Sequence, residues 1–192
     1  MNILCRMPDR ECSSENLEEI SGLIYDTDPY IYPAMFSSRE EAVTIISKMI
    51  CSSDSMFNLE NMYVAYSDRS IIGLVLWHRG SFSWEAGLYV SCGGHSQYIH
   101  EVRERYFSNY ADIPSDTVSL INVCTSVRNK GVGNILLESF LNTVSGPYEL
   151  YVLADNKPAI RLYEKHGFHV VESSNGFSID RQDLLCYKMQ RD

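Results

Sequence analysis

Apolar side chains recur at a helical period in the first fifty residues and at a strand period further along. Leu17, Ile20, Leu23 and Ile24 form one helical stripe, entered through Ser13, Ser14 and Glu15. Ala42, Ile45, Ile46, Met49 and Ile50 form a second, and Ser38 with Glu41 has capping-box spacing. The intervening 26–36 segment is rich in Tyr and Pro and is expected to be a loop. Two short apolar runs, 62–66 and 71–78, flank a polar turn at 67–70, which predicts a β-hairpin. In 79–115 the period is harder to follow: Gly93-Gly94 marks a turn, and Tyr98, Ile99, Val102 and Tyr106 suggest a helix with a charged outer face. Elements then alternate: strand 118–124, helix 132–144, strand 148–153, helix 157–166, strand 168–172 and a last strand near 184–189. Interleaved strands and helices predict an α/β or α+β sandwich, with parallel pairing where a helix intervenes. No repeat, low-complexity tract or linker interrupts the pattern, so residues 1–192 read as a single domain.

Composition narrows the functional classes. The 192 residues are 45% hydrophobic and 21% charged, enough for a real core and ordinary for a soluble protein. No apolar run approaches the roughly 20 residues of a membrane span, and Arg6, Asp9 and Arg10 interrupt any signal-peptide pattern, so the expected location is cytoplasmic. The six cysteines are scattered, without metal-site or redox spacing, so no metal is expected. A net charge of −9 argues against phosphate-backbone binding to nucleic acid and suits a cationic acceptor such as an amine.

The chemistry concentrates in residues 123–137, Val-Cys-Thr-Ser-Val-Arg-Asn-Lys-Gly-Val-Gly-Asn-Ile-Leu-Leu. A strand ends, a turn with two glycines and two cations follows, and an amphipathic helix begins. Free N–H groups at a helix start, its dipole, Arg128 and Lys130, and the close approach allowed by Gly131 and Gly133 make the parts of a pyrophosphate cradle. The same two glycines also suit a plain tight strand-to-helix turn. No Lys-Ser or Lys-Thr follows them, so this is no P-loop, and the third glycine of a dinucleotide fingerprint is missing.

Arg128-x-x-Gly131-x-Gly133 is followed by Asn156-x-x-Ala159-x-x-x-Tyr163-Glu164-x-x-Gly167-Phe168. Over roughly residues 118–170 this order and spacing resemble the GCN5-related N-acetyltransferase (GNAT) family. The resemblance implies a mixed, mostly antiparallel sheet of six to seven strands flanked by helices, with a parallel splayed pair at the cofactor site. It implies acetyl-CoA as co-substrate. Val123 would offer main-chain groups to the pantetheine arm. Arg128, Asn129, Lys130, Gly131, Val132, Gly133 and Asn134 would hold the pyrophosphate, largely through backbone N–H groups. Asn156 would bond the pantetheine side or a water, and Tyr163 would protonate the departing thiolate as general acid. Locally, Asn156 and Asp155 also read as caps of the helix containing Pro158, and Tyr163 as a half-buried aromatic.

The resemblance implies transfer of an acetyl group to a primary amine, read here as that of a small metabolite. A protein N-terminus or lysine, or a non-catalytic acyl-CoA-binding role, stand as alternatives. Asn122, where some members of the family carry an acid, cannot be a base. His78, Glu85, His95, Glu101 and Asp116 are the candidates for deprotonation, each equally readable as surface. Asp26 and Asp28 with the neighbouring aromatics could hold a cationic amine, or could belong to a packed loop. Nothing in the sequence sets an oligomeric state, and a homodimer stays open.

Overall fold

The computed structural model describes residues 2–9, 12–82, 84–95, 107–127, 130–179 and 182–192. Its centre is a seven-stranded sheet of β1 (Ile3–Arg6), β2 (Met62–Ser67), β3 (Ser70–Arg79), β4 (Val118–Thr125), β5 (Tyr148–Leu153), β6 (His169–Ile179) and β7 (Gln182–Arg191), in the order β1-β2-β3-β4-β5-β7-β6. Every neighbouring pair is antiparallel except β4 and β5, which are parallel. The described α-helices are α1 (Ser14–Tyr25), α2 (Ile31–Met35), α3 (Arg39–Ile50), α4 (Ala86–Ser91), α5 (Val132–Thr143) and α6 (Lys157–Lys165). The mixed, mostly antiparallel sheet with one parallel pair is therefore the architecture the sequence implied.

Strand alternation splits the apolar residues between two cores. Val64, Leu74, Leu76 and Cys124 pack with α1 to α4 on one face, whereas Ala65, Val75, Leu120, Leu150 and Val152 pack with α5 and α6 on the other. The helix starts follow the capping signals. Ser13 Oγ accepts from Asn16 N and Ser38 Oγ from Glu41 N, both at 3.2 Å. The return bond of the capping box is displaced by one residue: Ser37 N, not Ser38 N, donates to Glu41 Oε2 at 2.6 Å.

Several elements depart from the sequence reading. β1 is only four residues long and half-buried, too short to show a period, yet it pairs with β2. The expected loop at 26–36 contains α2, because Asp28 Oδ1 accepts from Tyr30 N and Ile31 N, each at 2.7 Å, and Ile31, Tyr32 and Met35 are buried. α4 lies in the stretch whose period was unreadable, while the helix read from Tyr98 to Tyr106 falls outside the described residues. β6 follows a helix but does not pair with β5. It forms an antiparallel hairpin with β7, which occupies the β5 edge.

Two irregularities in β4 open the sheet. Leu76 pairs with Asn122 and Trp77 with Leu120, so Ile121 is an extra, bulged residue. Parallel pairing with β5 covers only Val118 to Leu120 and Tyr148 to Leu150. Beyond it, β4 remains on β3 as far as Gly73–Thr125, and β5 remains on β7 as far as Leu153–Cys186. The sheet divides into two intact halves with a wedge between them.

Candidate active site

The wedge starts where the bulge ends the parallel ladder. Past Leu120 and Leu150 the facing edges of β4 and β5 have no strand partner in each other, so main-chain donors and acceptors line the gap. Val123, half-buried and registered against Val75, lies on this stretch of β4. A ligand carrying amides can bond such an edge as an added strand would.

β4 runs through Ser126 and Val127 toward α5. Arg128 and Asn129 lie outside the described residues. Lys130 is exposed, and Gly131 caps α5 at φ 74°, a left-handed conformation that a residue with a Cβ adopts only under strain. Among the described residues no side chain caps this helix, and the N–H groups of Val132, Gly133 and Asn134 have no partner within it. Among the described residues, a Cβ on Gly131 would meet nothing within 4 Å. Gly133 faces α6: a Cβ there would stand 3.5 Å from Leu162 Cδ2, in ordinary van der Waals contact. Val132 is buried as the anchor of the first turn. The side chain of Asn134 is taken, since its Oδ1 accepts from Lys165 Nζ at 2.5 Å and lies 3.3 Å from His166 Nε2.

Asn156 performs the local role the sequence allowed. It caps α6, its Oδ1 accepting from Ala159 N at 3.3 Å. Tyr163 is 7% exposed and packs its ring 5.8 Å from Phe168. Burial pushes its phenol well above the usual tyrosine value, and the nearby Cys124 thiol adds to the effect. Cys124 belongs to the opposite core, so the two approach through the region where the sheet is open. Two clefts border the open end. One of about 550 Å³ is lined by Glu18, Glu19, Asp26, Arg39, Cys124 and Thr125. The other, about 430 Å³, lies against Leu153, Asp155, Lys157, Leu184 and Tyr187.

The acidic loop after α1 is already engaged. Asp26 accepts twice from Arg39, at 3.1 and 2.9 Å, and Asp28 caps α2. Burial raises the Asp28 carboxyl above its ordinary range against the pull of its two backbone donors, and the charge of Asp155 adds to the rise. Asn122, 3% exposed, accepts from the Tyr32 hydroxyl at 3.2 Å. Of the deprotonation candidates, His78 and Glu85 line a separate polar cleft of about 260 Å³, where Glu85 Oε1 accepts from Met56 N at 2.7 Å. His95 pairs with Glu41 at 3.3 Å, Asp116 is exposed before β4, and Glu101 lies outside the described residues.

The sequence reading passed over a buried polar group at the closed end of the wedge: Ser119, Glu149 and Lys188. The signal was present, because Glu149 interrupts the apolar run of β5, where a carboxylate is rare unless paired. Among the described residues, no group of three or more His, Cys, Asp or Glu could hold a metal ion, and no helix is long and apolar enough to cross a membrane.

Comparison with known proteins adds an independent line. The family description "Acetyltransferase (GNAT) domain" matches residues 58–170. A curated N-alpha-acetyltransferase from Saccharolobus solfataricus is 36% identical over 103 residues, covering 49% of this chain and 60% of the relative. The chain thus spans about 60% of the length of that relative. An N-acetyltransferase from Staphylococcus aureus Mu50 has the same fold, with a TM-score of 0.65 at 13% identity over 98% of this chain and 100% of that one. Arabidopsis thaliana Naa50, solved with the bisubstrate analogue CoA-Ac-MVNAL, gives a TM-score of 0.56 at 15% identity, covering 100% and 99%.

Proposed function

The chain belongs to the GNAT acetyltransferase family, and from that premise we propose that it transfers an acetyl group from acetyl-CoA to a primary amine, most simply that of a small metabolite. The observation that carries the reading is the wedge: a bulge at Ile121 ends the β4–β5 ladder and leaves two main-chain edges beside an uncapped helix start.

These parts suit the donor. The unpaired edge of β4 around Val123 matches an arm that carries amide groups, and the N–H groups of Val132, Gly133 and Asn134 match a pyrophosphate. Arg128, Asn129 and Lys130 are assigned to the same turn by the family resemblance. Asn134 contributes its main chain in this reading, since its side chain is bound by Lys165. Asn156 combines capping with a contact to the donor or to a water.

Tyr163 is assigned the proton donor. The nucleophile must be a neutral amine and the acid must still hold its proton, two demands that oppose each other as pH rises. A phenol raised by burial meets both, because it stays protonated where amines have lost their charge. As the C–N bond forms and the C–S bond breaks, the leaving thiolate takes the phenol's proton, and a proton from nitrogen restores it.

A second reading, acetylation of a peptide α-amine, is supported by the archaeal N-alpha-acetyltransferase relative. One assay separates the readings: release of free thiol from acetyl-CoA against a panel of small primary amines and of peptides with free N-termini, with acetylated products identified by mass. Turnover of small amines alone supports the first reading, and turnover of peptides alone the second. Binding of acetyl-CoA without thiol release on any acceptor would leave a binding domain instead of an enzyme.

A further inference from the structure

α1 and α3 lie side by side on one face of the sheet and run in opposite directions. At one end Asp26, the C-cap of α1, holds Arg39, the first residue of α3, at 2.9 Å. Further along, Ser21 Oγ lies 2.9 Å from Ser47 Oγ. Residues four apart on a helix share a face and lie about 6 Å apart along its axis. One turn beyond the Ser21–Ser47 contact, Leu17 of α1 therefore stands level with Cys51, the C-cap of α3. The chain entering α1 arrives at the same end: Ser13 caps the helix, and its carbonyl accepts from Leu17 N at 3.0 Å. Cys12 directly precedes that cap. The antiparallel register thus brings Cys12 and Cys51 to one end of the helix pair, although their sequence spacing suggests no partnership.

The two thiols differ in access. Cys51 is exposed, whereas Cys12 is half-buried and packs against the core beneath the helices. Burial raises the Cys12 thiol above its ordinary value, a bond with Asn16 works against the rise, and the charge of Cys51 adds to it, followed by that of Asp9. Surface charges are screened over about 10 Å, so the influence of Cys51 on Cys12 is that of a near neighbour. Neither cysteine lies inside a helix or strand. The backbone at both can therefore settle at the Cα separation of roughly 4.4–6.8 Å that a disulfide requires without breaking a ladder. The other four thiols are less accessible: Cys92, Cys124 and Cys186 are buried, and Cys5 is half-buried in β1.

We propose that Cys12 and Cys51 are a peroxide-responsive pair whose disulfide fastens the start of α1 to the end of α3. The exposed Cys51 thiol takes one oxygen from hydrogen peroxide, becoming a sulfenic acid as the O–O bond breaks and water leaves. The Cys12 sulfur then displaces that oxygen. The S–S bond forms, the S–O bond breaks, and the Cys12 proton departs with the hydroxide as a second water. Both sulfurs are oxidised and the peroxide is reduced to water; a dithiol reductant reverses the link by exchange. α1 supplies Glu18, Glu19 and Leu23 to the cleft of about 550 Å³, and α3 supplies Arg39. The link thus ties together two helices that share a wall of the cleft bordering the wedge. This chemistry needs neither acetyl-CoA nor an acceptor amine, so it stands apart from the acetyltransferase reading.

The test treats the folded full chain with hydrogen peroxide, caps the remaining thiols with iodoacetamide and maps the peptides by mass without reduction. The expected result is a cross-linked peptide joining Cys12 to Cys51 within one chain, the loss of two thiols, and return of both on adding dithiothreitol. The oxidised chain should also unfold at a higher temperature than the reduced one, because the link restricts the unfolded chain. Cys12→Ser and Cys51→Ser should each abolish the cross-link and the rise in unfolding temperature. In Cys12→Ser, which lacks the second sulfur, Cys51 should accumulate as sulfenic and then sulfinic acid. Recovery of wild-type Cys51 as a free thiol, as an over-oxidised acid, or linked to another cysteine or a second chain would overturn the proposal. A Cys12–Cys51 link that lowers the unfolding temperature or leaves it unchanged would overturn the fastening role.

Discussion

The β4–α5–β5–α6 stretch and the N-terminal helices face the same sheet but present different chemistry. In the first, the groups turned toward the wedge are main-chain ones: two unpaired strand edges and three helix N–H groups. In the second, the candidate polar groups are side chains already bonded within the protein. Asp26 is held by Arg39, Asp28 by the start of α2, and Tyr32 by Asn122. One region leaves backbone groups unpaired, whereas the other bonds its polar side chains to one another. The proposed donor site therefore rests on local geometry, whereas the polar groups of the N-terminal helices rest on contacts between distant residues.

The sharpest way to break this comparison is at Tyr163. Replacement by Phe keeps the ring against Phe168 and should lower kcat by about 10²- to 10⁴-fold, with KM for acetyl-CoA nearly unchanged. A steady-state comparison in which the variant keeps wild-type kcat would return Tyr163 to a purely packing role. Next in size is Gly131→Val. It places a branched side chain at φ 74°, at the start of α5. Acetyl-CoA affinity should fall about tenfold or more, with roughly 1–3 kcal/mol of strain on folding. Calorimetry showing wild-type affinity would remove the helix start from the donor site.

A third effect belongs to the point where the two regions meet. Burial pushes the Cys124 thiol up to about 12, well above its unfolded value. The folded state thus keeps a proton that the unfolded state releases first, and stability is present at neutral pH and lost as pH climbs above about 8.5. One proton gives a slope of about 1.4 kcal/mol per pH unit, which Cys124→Ala should flatten in denaturant titrations between pH 8.5 and 10. An unchanged slope would mean that the thiol is not sealed between the two regions. The smallest effect is expected at the exposed Asp26–Arg39 pair, where Asp26→Asn should cost no more than about 1 kcal/mol, and less at high salt. If that variant instead abolished turnover without unfolding, the acidic loop would be acceptor machinery after all.

The same contrast explains what the sequence disclosed. The turn and helix at 131–134 and the cap at Asn156 follow from residues a few positions apart, so spacing sufficed to locate them. The hairpin of β2 and β3 and the two capped helices were legible for the same reason. The bulge at Ile121 was not, because it exists only in the pairing of β4 with β3. Asn122 meets Tyr32 across 90 residues, and Ser119, Glu149 and Lys188 come from three strands. Such groups are assembled by topology, and no local period announces them. β1 and α2 escaped detection because four or five residues are too few to show a period.

The central claim is that the β4–β5 wedge and the start of α5 receive acetyl-CoA. Amide hydrogen exchange with and without acetyl-CoA tests it directly. The account predicts slowed exchange at Ile121–Thr125 and at Val132, Gly133 and Asn134, with the polar cleft around Asn58 and Glu85 unchanged. Binding that leaves those amides unprotected, or protects the other cleft instead, would contradict it.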